Sequence, residues 1–363
     1  MGPPAGPRRR LRLAIVLIWL VTLVGAEVAS RLVLPAPGFQ PWVNPHVPGL
    51  RVPHAIRGFA NAPNFSGRRV TSDYEHGLVT NELGMRDEPF DDRRPGRRIL
   101  AVGDSFTEGL GVEREEAWPE QLEQRLSARR PTHVWNAGVT SYSALQMRQT
   151  AAEYVPVIRP DLVIAGIYAR GVTRLLDPYV LLGDGVVRRS ASLASGPLPA
   201  DIAIRCSSGT GWWRWICGSR TTRGWPGTSC IRASNLRDRL AGRPTLNPEH
   251  ARMVTDAPMA VEPLLDEIGR LQALTHAAGI QLVVLLVNGQ QADGQFHAID
   301  QELNERIRVY AAGRDIAVVD PRAALIQAAG GQPVMRFRAD GHWTPLAHRI
   351  VAAELATALE RNE

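Results

Sequence analysis

The chain reads as an α/β protein: a parallel sheet with helices packed on both faces. Three observations predict this. Short apolar, β-branched runs alternate with helical stretches along most of the chain. The run Ile99-Leu100-Ala101-Val102 has no polar residue and reads as a buried strand. At 363 residues the chain is ample for a sizeable core, with room for attachments.

The N-terminus is a membrane signal. Arg8-Arg9-Arg10-Leu11-Arg12 precedes an apolar run from Leu13 to Ala26, broken only by Thr22 and Gly25. Val24-Gly25-Ala26 offers a cleavage site. The apolar pattern resumes through Leu32-Val33-Leu34, with Glu27 and Arg31 one helical turn apart. Counted over residues 13–34, the segment could span a bilayer as an uncleaved signal anchor, and this reading is favoured over a cleaved signal peptide. The arginines place a basic tail, residues 1–12, in the cytoplasm and the rest of the chain outside it.

Residues 35–77 follow as a proline-rich linker and lead-in, with Pro35, Pro37, Pro41, Pro45, Pro48 and Pro53 spacing the domain off the membrane. Residues 70–80 have the content of one or two short strands. The principal domain spans 78–360. It reads as strand 99–103, helix 117–127, strand 133–137, helix 143–156 and strand 161–168. After an interruption come helix 259–277, strand 280–288, helix 297–312, strand 316–320 and helix 345–359. Right-handed crossovers between these strands make the sheet parallel. No internal repeat stands out at solenoid periods.

The interruption, about 177–258, is too long for a plain connection. It holds Cys206, Cys217 and Cys230, and four of the nine tryptophans: Trp212, Trp213, Trp215 and Trp225. Cysteine spacings of eleven and thirteen match no structural zinc pattern, although one disulfide is open to them in an oxidising compartment. A lid or substrate platform, a variable insertion and a frame-shifted stretch near 200–232 all remain open readings.

Every basic side chain is arginine, which excludes lysine-based Schiff-base chemistry. A net charge of +6, with arginine pairs scattered and not interleaved with aromatics, argues against a nucleic-acid partner.

Ser105 lies just past the end of strand 99–103, in Gly103-Asp104-Ser105-Phe106-Thr107. A hydroxyl at the carboxyl end of a strand, beside a helix N-terminus, is a candidate nucleophile. Thr107 excludes the G-x-S-x-G elbow. A base is available at the far end of the chain, where Asp340 and His342 stand two residues apart before a helix. Other polar residues have blander readings. Glu108 reads as a solvated first-turn acid, His348 as a surface or capping histidine, Met147 and Trp118 as packing residues. Asn136 could hold its loop or touch substrate.

Gly103-Asp104-Ser105, Asn136-Ala137-Gly138 and the Asp340/His342 pair resemble the first, second and last blocks of the SGNH (GDSL-like) hydrolase family. Thr80-Asn81-Glu82-Leu83-Gly84-Met85-Arg86-Asp87 resembles the stretch before that domain in membrane-anchored bacterial members. The likeness covers about 78–175 and 258–360. It implies a flavodoxin-like three-layer α/β/α sandwich and ester hydrolysis by Ser105, His342 and Asp340. Backbone N–H groups of Ser105 and Gly138 would bind the oxyanion. No metal or cofactor is implied.

One block departs from the pattern. Where the family carries an oxyanion-hole asparagine this chain has Arg170, and no asparagine occurs between Asn136 and Asn235. Arg170 is thus a candidate charged donor of different reach. Losing one such donor typically costs about 10²–10³ in rate. The resulting expectation is a single-pass, extracytoplasmic serine esterase of the bacterial cell membrane, acting on an ester that could be an acylated glycan or lipid. An O-acyltransferase acting on an envelope or exported polysaccharide and an inactive SGNH-like binding or assembly module stay open beside it.

Overall fold

The computed structural model describes residues 47–71, 73–93, 95–176, 179–182, 185–188, 261–338 and 340–361, with 15–16, 18–22 and 24–25. Contacts divide the chain into two units, Met1–Trp42 with Pro199–Ala257, and Val43–Leu198 with Pro258–Glu363. In the first unit, the described residues between 15 and 25 are helical. Among the described residues no helix is long and apolar enough to cross a membrane. The expected anchor falls largely outside those residues, as does most of the 177–258 stretch with its cysteines and tryptophans.

In the second unit, five strands form one sheet: β5 (Arg97–Gly103), β6 (Thr132–Asn136), β7 (Leu162–Tyr168), β10 (Gln281–Val287) and β11 (Ala317–Val319). Their order is β11-β10-β7-β5-β6, and every pairing is parallel. Taken in chain order this is the 2-1-3-4-5 arrangement of flavodoxin-like sheets, with a topological switch at β5. Strand β7 reads Leu-Val-Ile-Ala-Gly-Ile-Tyr and is buried over all but its last residue, because helices cover both of its faces.

On one face, α3 (Ala144–Ile158), α5 (Glu262–Ala277) and α6 (Ala298–Ala312) press Met147, Ile268 and Leu303 onto Leu100, Val163 and Val284. On the other, α2 (Trp118–Ser127), α7 (Arg322–Ala329) and α8 (Pro345–Arg361) press Trp118, Leu325 and Val351 onto Ile99, Ile164 and Val283. Alternate strand residues feed the two clusters, which is the period-2 geometry of a pleated strand. The reciprocal pairing of Ser143 and Gln146 as a capping box fixes where α3 starts. Helix α7 was absent from the sequence reading: at eight residues it is too short to show a period.

The lead-in differs more from expectation. Residues 51–79 are two hairpins, β1 (Arg51–His54) with β2 (Gly58–Asn61), and β3 (Ser66–Val70) with β4 (Glu75–Val79). Pro53 sits in β1, a strand of an isolated two-stranded ribbon, where a missing N–H is tolerated. The 177–258 stretch begins with a third hairpin, β8 (Tyr179–Leu182) with β9 (Gly185–Arg188), lying against β1 and β2.

His348 is buried on α8, and its Nδ1 accepts from the Trp118 N–H (3.2 Å), capping α2 from inside the protein. Burial, then Arg86 and His342, hold its pKa down at about 3. The native state therefore stays neutral here while an unfolded histidine takes up a proton below about pH 6.5. Stability contributed by this site is complete above that pH and drains away as pH falls toward 3. In His348→Asn, which keeps an acceptor near the Nδ1 position, the fall in unfolding free energy between pH 6 and 4 should be shallower by about 1.4 kcal/mol per pH unit. Parallel curves for parent and variant in urea titrations would refute this.

Candidate active site

Strand β5 ends at Gly103, and the chain turns at once into a single helical turn, α1 (Ser105–Glu108). A side chain at Gly103 would meet the Thr107 Oγ1 at 1.9 Å, and one at Gly166 on the neighbouring strand would meet it at 2.4 Å. The two glycines thus make room for Thr107, which is fully buried between the strand ends. Gly109 closes the turn with φ of +80°, a left-handed conformation that glycine adopts without penalty. Ser105 is not among the residues with positive φ, so its turn is unlike the strained nucleophile elbow.

Asp104 caps α1, its Oδ1 accepting from the Phe106 N–H (3.1 Å), while Oδ2 lies 2.6 Å from Arg174 Nη1. The helix N-terminus at Ser105 is therefore that of α1, and the sequence-predicted helix beginning near 117 is a separate element. As the first residue of α1, Ser105 has an N–H with no acceptor inside its helix.

The 335–344 loop brings the partner groups. It is folded on itself by the Arg336–Trp343 bridge and the Thr344 N–H bond to the Met335 carbonyl (3.1 Å). It is fastened to the end of β10, where Trp343 Nε1 donates to the Asn288 carbonyl (2.9 Å) and the Met335 N–H donates to Gln290 Oε1 (2.9 Å). Held there, His342 Nε2 lies 2.7 Å from Ser105 Oγ. His342 Nδ1 faces Asp340 Oδ1, and the same oxygen accepts the His342 backbone N–H (3.0 Å). Phe106 packs against the imidazole with ring centroids 4.8 Å apart.

The structure thus brings together Ser105, His342 and Asp340, which the sequence places 237 and 2 residues apart. With Nδ1 protonated toward Asp340, Nε2 is the free acceptor for the serine proton. Burial alone would push the Asp340 carboxyl up. His342 and the hydrogen bonds from it and from Tyr74 reverse that and hold Asp340 well below the usual carboxylate range. The carboxylate stays charged, and so keeps the imidazole oriented.

Tyr74 was missed from sequence. Its hydroxyl donates to Asp340 Oδ2 (2.7 Å), and its ring lies 4.8 Å from that of Phe337. Asp73 adds a second tie, accepting the Asp340 N–H at 2.9 Å. Nothing local marks a tyrosine in a loop as a neighbour of a residue 266 positions on. Tyr74→Phe keeps the ring and drops the donor. It should lower kcat about 3- to 10-fold with little change in KM, the scale of one hydrogen bond to a charged group. Parent-like kcat would remove Tyr74 from the site's support.

Glu108 corrects a reading. Far from solvated, it is 1% exposed beneath the lead-in hairpins. Its Oε1 accepts from Arg51 (3.1 Å) and Asn61 (3.2 Å), Oε2 lies 3.6 Å from Arg69, and Thr140 also donates to Oε2. Arg86 donates to the carbonyls of Glu108 (2.9 Å) and Gly109 (2.8 Å). Burial disfavours the charge, but Arg51, Arg69, Thr140 and Arg86 outweigh it and bring the pKa down to about 2. The hairpins are in this way wired to the helical turn that carries Ser105.

Gly138 also departs from expectation. Its N–H donates to Asn136 Oδ1 (3.0 Å), so in this structure that donor is engaged within its own loop. Asn136 therefore acts as a loop holder, and its own N–H donates to Asp87 Oδ2 (2.7 Å). Arg170 shares a cleft with His342. It lines a cleft of about 450 Å³ together with Phe106, Tyr168, Arg174 and His342. Its Nε lies 2.7 Å from Asp300 Oδ1 and its guanidinium 4.9 Å from the Tyr168 ring centre. Among the described residues there is no cluster of His, Cys, Asp and Glu that could hold a metal ion.

No protein-family model and no curated protein matches the chain. Solved structures similar to it include a putative lipolytic protein of the G-D-S-L family from Desulfitobacterium hafniense, with 14% identity over 72% of this chain and 98% of that one, at a TM-score of 0.42. An α/β hydrolase enzyme from the metagenome of Lake Arreo is similar over 74% of this chain and 97% of its own, with 14% identity and a TM-score of 0.44. A catalytic mutant of an acetylxylan esterase from Geobacillus stearothermophilus matches over 73% of this chain and 96% of its own, at 12% identity and a TM-score of 0.42.

Proposed function

We propose that the protein is a serine ester hydrolase of the SGNH type, in which Ser105 is the nucleophile, His342 the general base and Asp340 its orienting carboxylate. One observation carries this: Ser105 Oγ stands 2.7 Å from His342 Nε2, with Asp340 on the other ring nitrogen, at the carboxyl edge of a parallel sheet beside an open cleft.

The chemistry follows from that order. Ser105 Oγ attacks the ester carbonyl carbon while its proton passes to His342 Nε2. The tetrahedral oxyanion is met by the Ser105 N–H, with Arg170 as a charged donor from the cleft wall. Collapse breaks the bond to the alkoxy oxygen, which leaves with the proton from Nε2. A water then attacks the acyl-enzyme, giving its proton to His342, and the acid departs as Ser105 Oγ regains a proton. A sugar hydroxyl in place of that water would make the same site an acyltransferase.

The basic residues 8–12 and the apolar run 13–34 support a location on the outer side of a bacterial cell membrane, held by a single anchor. Retention of the full chain in membranes after carbonate washing tests the anchor; a mature chain starting at Glu27 would sink it. The function is tested by a fluorophosphonate probe. Adduct mass should map to the peptide carrying Ser105 and vanish in Ser105→Ala. Labelling elsewhere, or none, counts against the proposal. Partition of the acyl group between water and an added glycan then separates hydrolase from transferase.

A further inference from the structure

The cleft beside Ser105 carries three guanidiniums. Arg170 and Arg174 face Asp300 and Asp104, at 2.7 and 2.6 Å respectively. Arg336 forms no ion pair with a carboxylate among the described residues. Its Nε donates to the carbonyls of Phe337 (3.0 Å) and Asp340 (3.4 Å), both neutral acceptors.

The placement of these groups favours a bound anion. Arg336 sits two residues beyond Val334 and four before Asp340, in the loop that positions His342, so its head lines the same cleft as the base. Gly289 opens the opposite wall: a side chain there would meet Arg170 Nη2 at 3.0 Å and His297 Cδ2 at 3.2 Å. Burial, then Arg170 and Arg336, hold the His297 pKa below its ordinary value against the opposing pull of Asp300 and Asp293. Gln290 and Gln291 add neutral polar lining. The planar fork of Arg336, whose Nε is held by two backbone carbonyls, suits a carboxylate.

We infer that the cleft selects esters bearing a carboxylate close to the scissile bond, with Arg336 as the residue that recognises it. The inference rests on the ester-hydrolase reading and deepens it. The carboxylate could belong to the acyl group or to the alcohol, as in an acylated acidic sugar, and the two sources are separable.

The test compares two matched pairs with the full-length chain. For the acyl side, 4-nitrophenyl hydrogen adipate is set against 4-nitrophenyl hexanoate. For the alcohol side, 4-acetoxybenzoate is set against 4-acetoxybenzamide. In at least one pair kcat/KM should favour the charged ester about tenfold or more, and the preference should shrink as salt is raised. The pair that shows it identifies the source. Arg336→Gln should collapse the ratio to near one, and Arg336→Lys should retain most of it; the ratio, not the absolute rate, is the readout. Neutral members that match or beat the charged ones in both pairs overturn the inference, as does a ratio that survives Arg336→Gln. If the parent hydrolyses none of the four, the ester-hydrolase reading fails on its own terms. Adipate and 4-hydroxybenzoate binding by calorimetry then decides the cleft: an affinity weakened about tenfold in Arg336→Gln supports it, and no binding, or equal binding, overturns it.

Discussion

Ser105→Ala and His342→Ala should each abolish turnover of a small aryl acetate, and the double variant should be scarcely worse than either. The reason is the shared proton. Oγ is a poor nucleophile until His342 Nε2, 2.7 Å away, removes its hydrogen, so losing either group disables the same step. Members of one nucleophilic unit are strongly non-additive, with losses on the order of 10⁶ in kcat. Asp340→Asn should be milder, because Tyr74 and the His342 N–H still hold that side chain in place. Steady-state kinetics with tight control of contaminating esterase measures all four. Losses that simply multiply would mean that Ser105 and His342 act in separate events, and full activity in Ser105→Ala would end the mechanism.

Glu108→Gln should be the most damaging substitution outside the triad, and its effect should appear first as lost stability. The carboxylate neutralises Arg51 and Arg69, whose side chains are 7% and 2% exposed. Breaking such a pair from one side leaves charge buried without its counterion, typically a loss of about 3–5 kcal/mol. For a domain of this size that is a drop of roughly 6–15 °C in Tm. The pH dependence has a definite sign. A folded pKa of about 2, below the unfolded value, means the carboxylate's contribution is complete above about pH 4.5 and is lost as pH falls toward 2. Glu108→Gln should therefore flatten that acid limb. Because Arg86 and the hairpins reach the Ser105 turn through this cluster, activity should fall with stability. A Tm within a degree or two of the parent would show that the arginines are satisfied some other way.

The proposed triad is legible in one dimension because each member carries a local mark. Ser105 follows an apolar strand and a glycine-aspartate turn, while Asp340 and His342 precede a helix. The sheet is legible for a related reason. Strands such as β7 and β10, buried on both faces, are written as unbroken apolar runs, and that pattern needs no knowledge of neighbours. Helix starts were also readable where a cap is written locally, as at Ser143.

Burial of a polar residue is different in kind. Glu108 looks like any first-turn acid; it is an internal counterion only because two hairpins, starting fifty-seven residues upstream at Arg51, fold over it. Tyr74 is an ordinary aromatic until the 335–344 loop arrives beside it. The Gly138 N–H is a plausible oxyanion donor by position, yet a side chain two residues away takes it. Arg170 and Arg336 are two of forty-two like residues, and only the packing of β7, β10 and the histidine loop gathers them around one cleft. Alternation and caps are set by bonds and sterics within a few residues, so the chain states them directly. Charge compensation, desolvation and the reach of a donor depend on distances between segments far apart in the chain, and those distances exist only once the chain has packed.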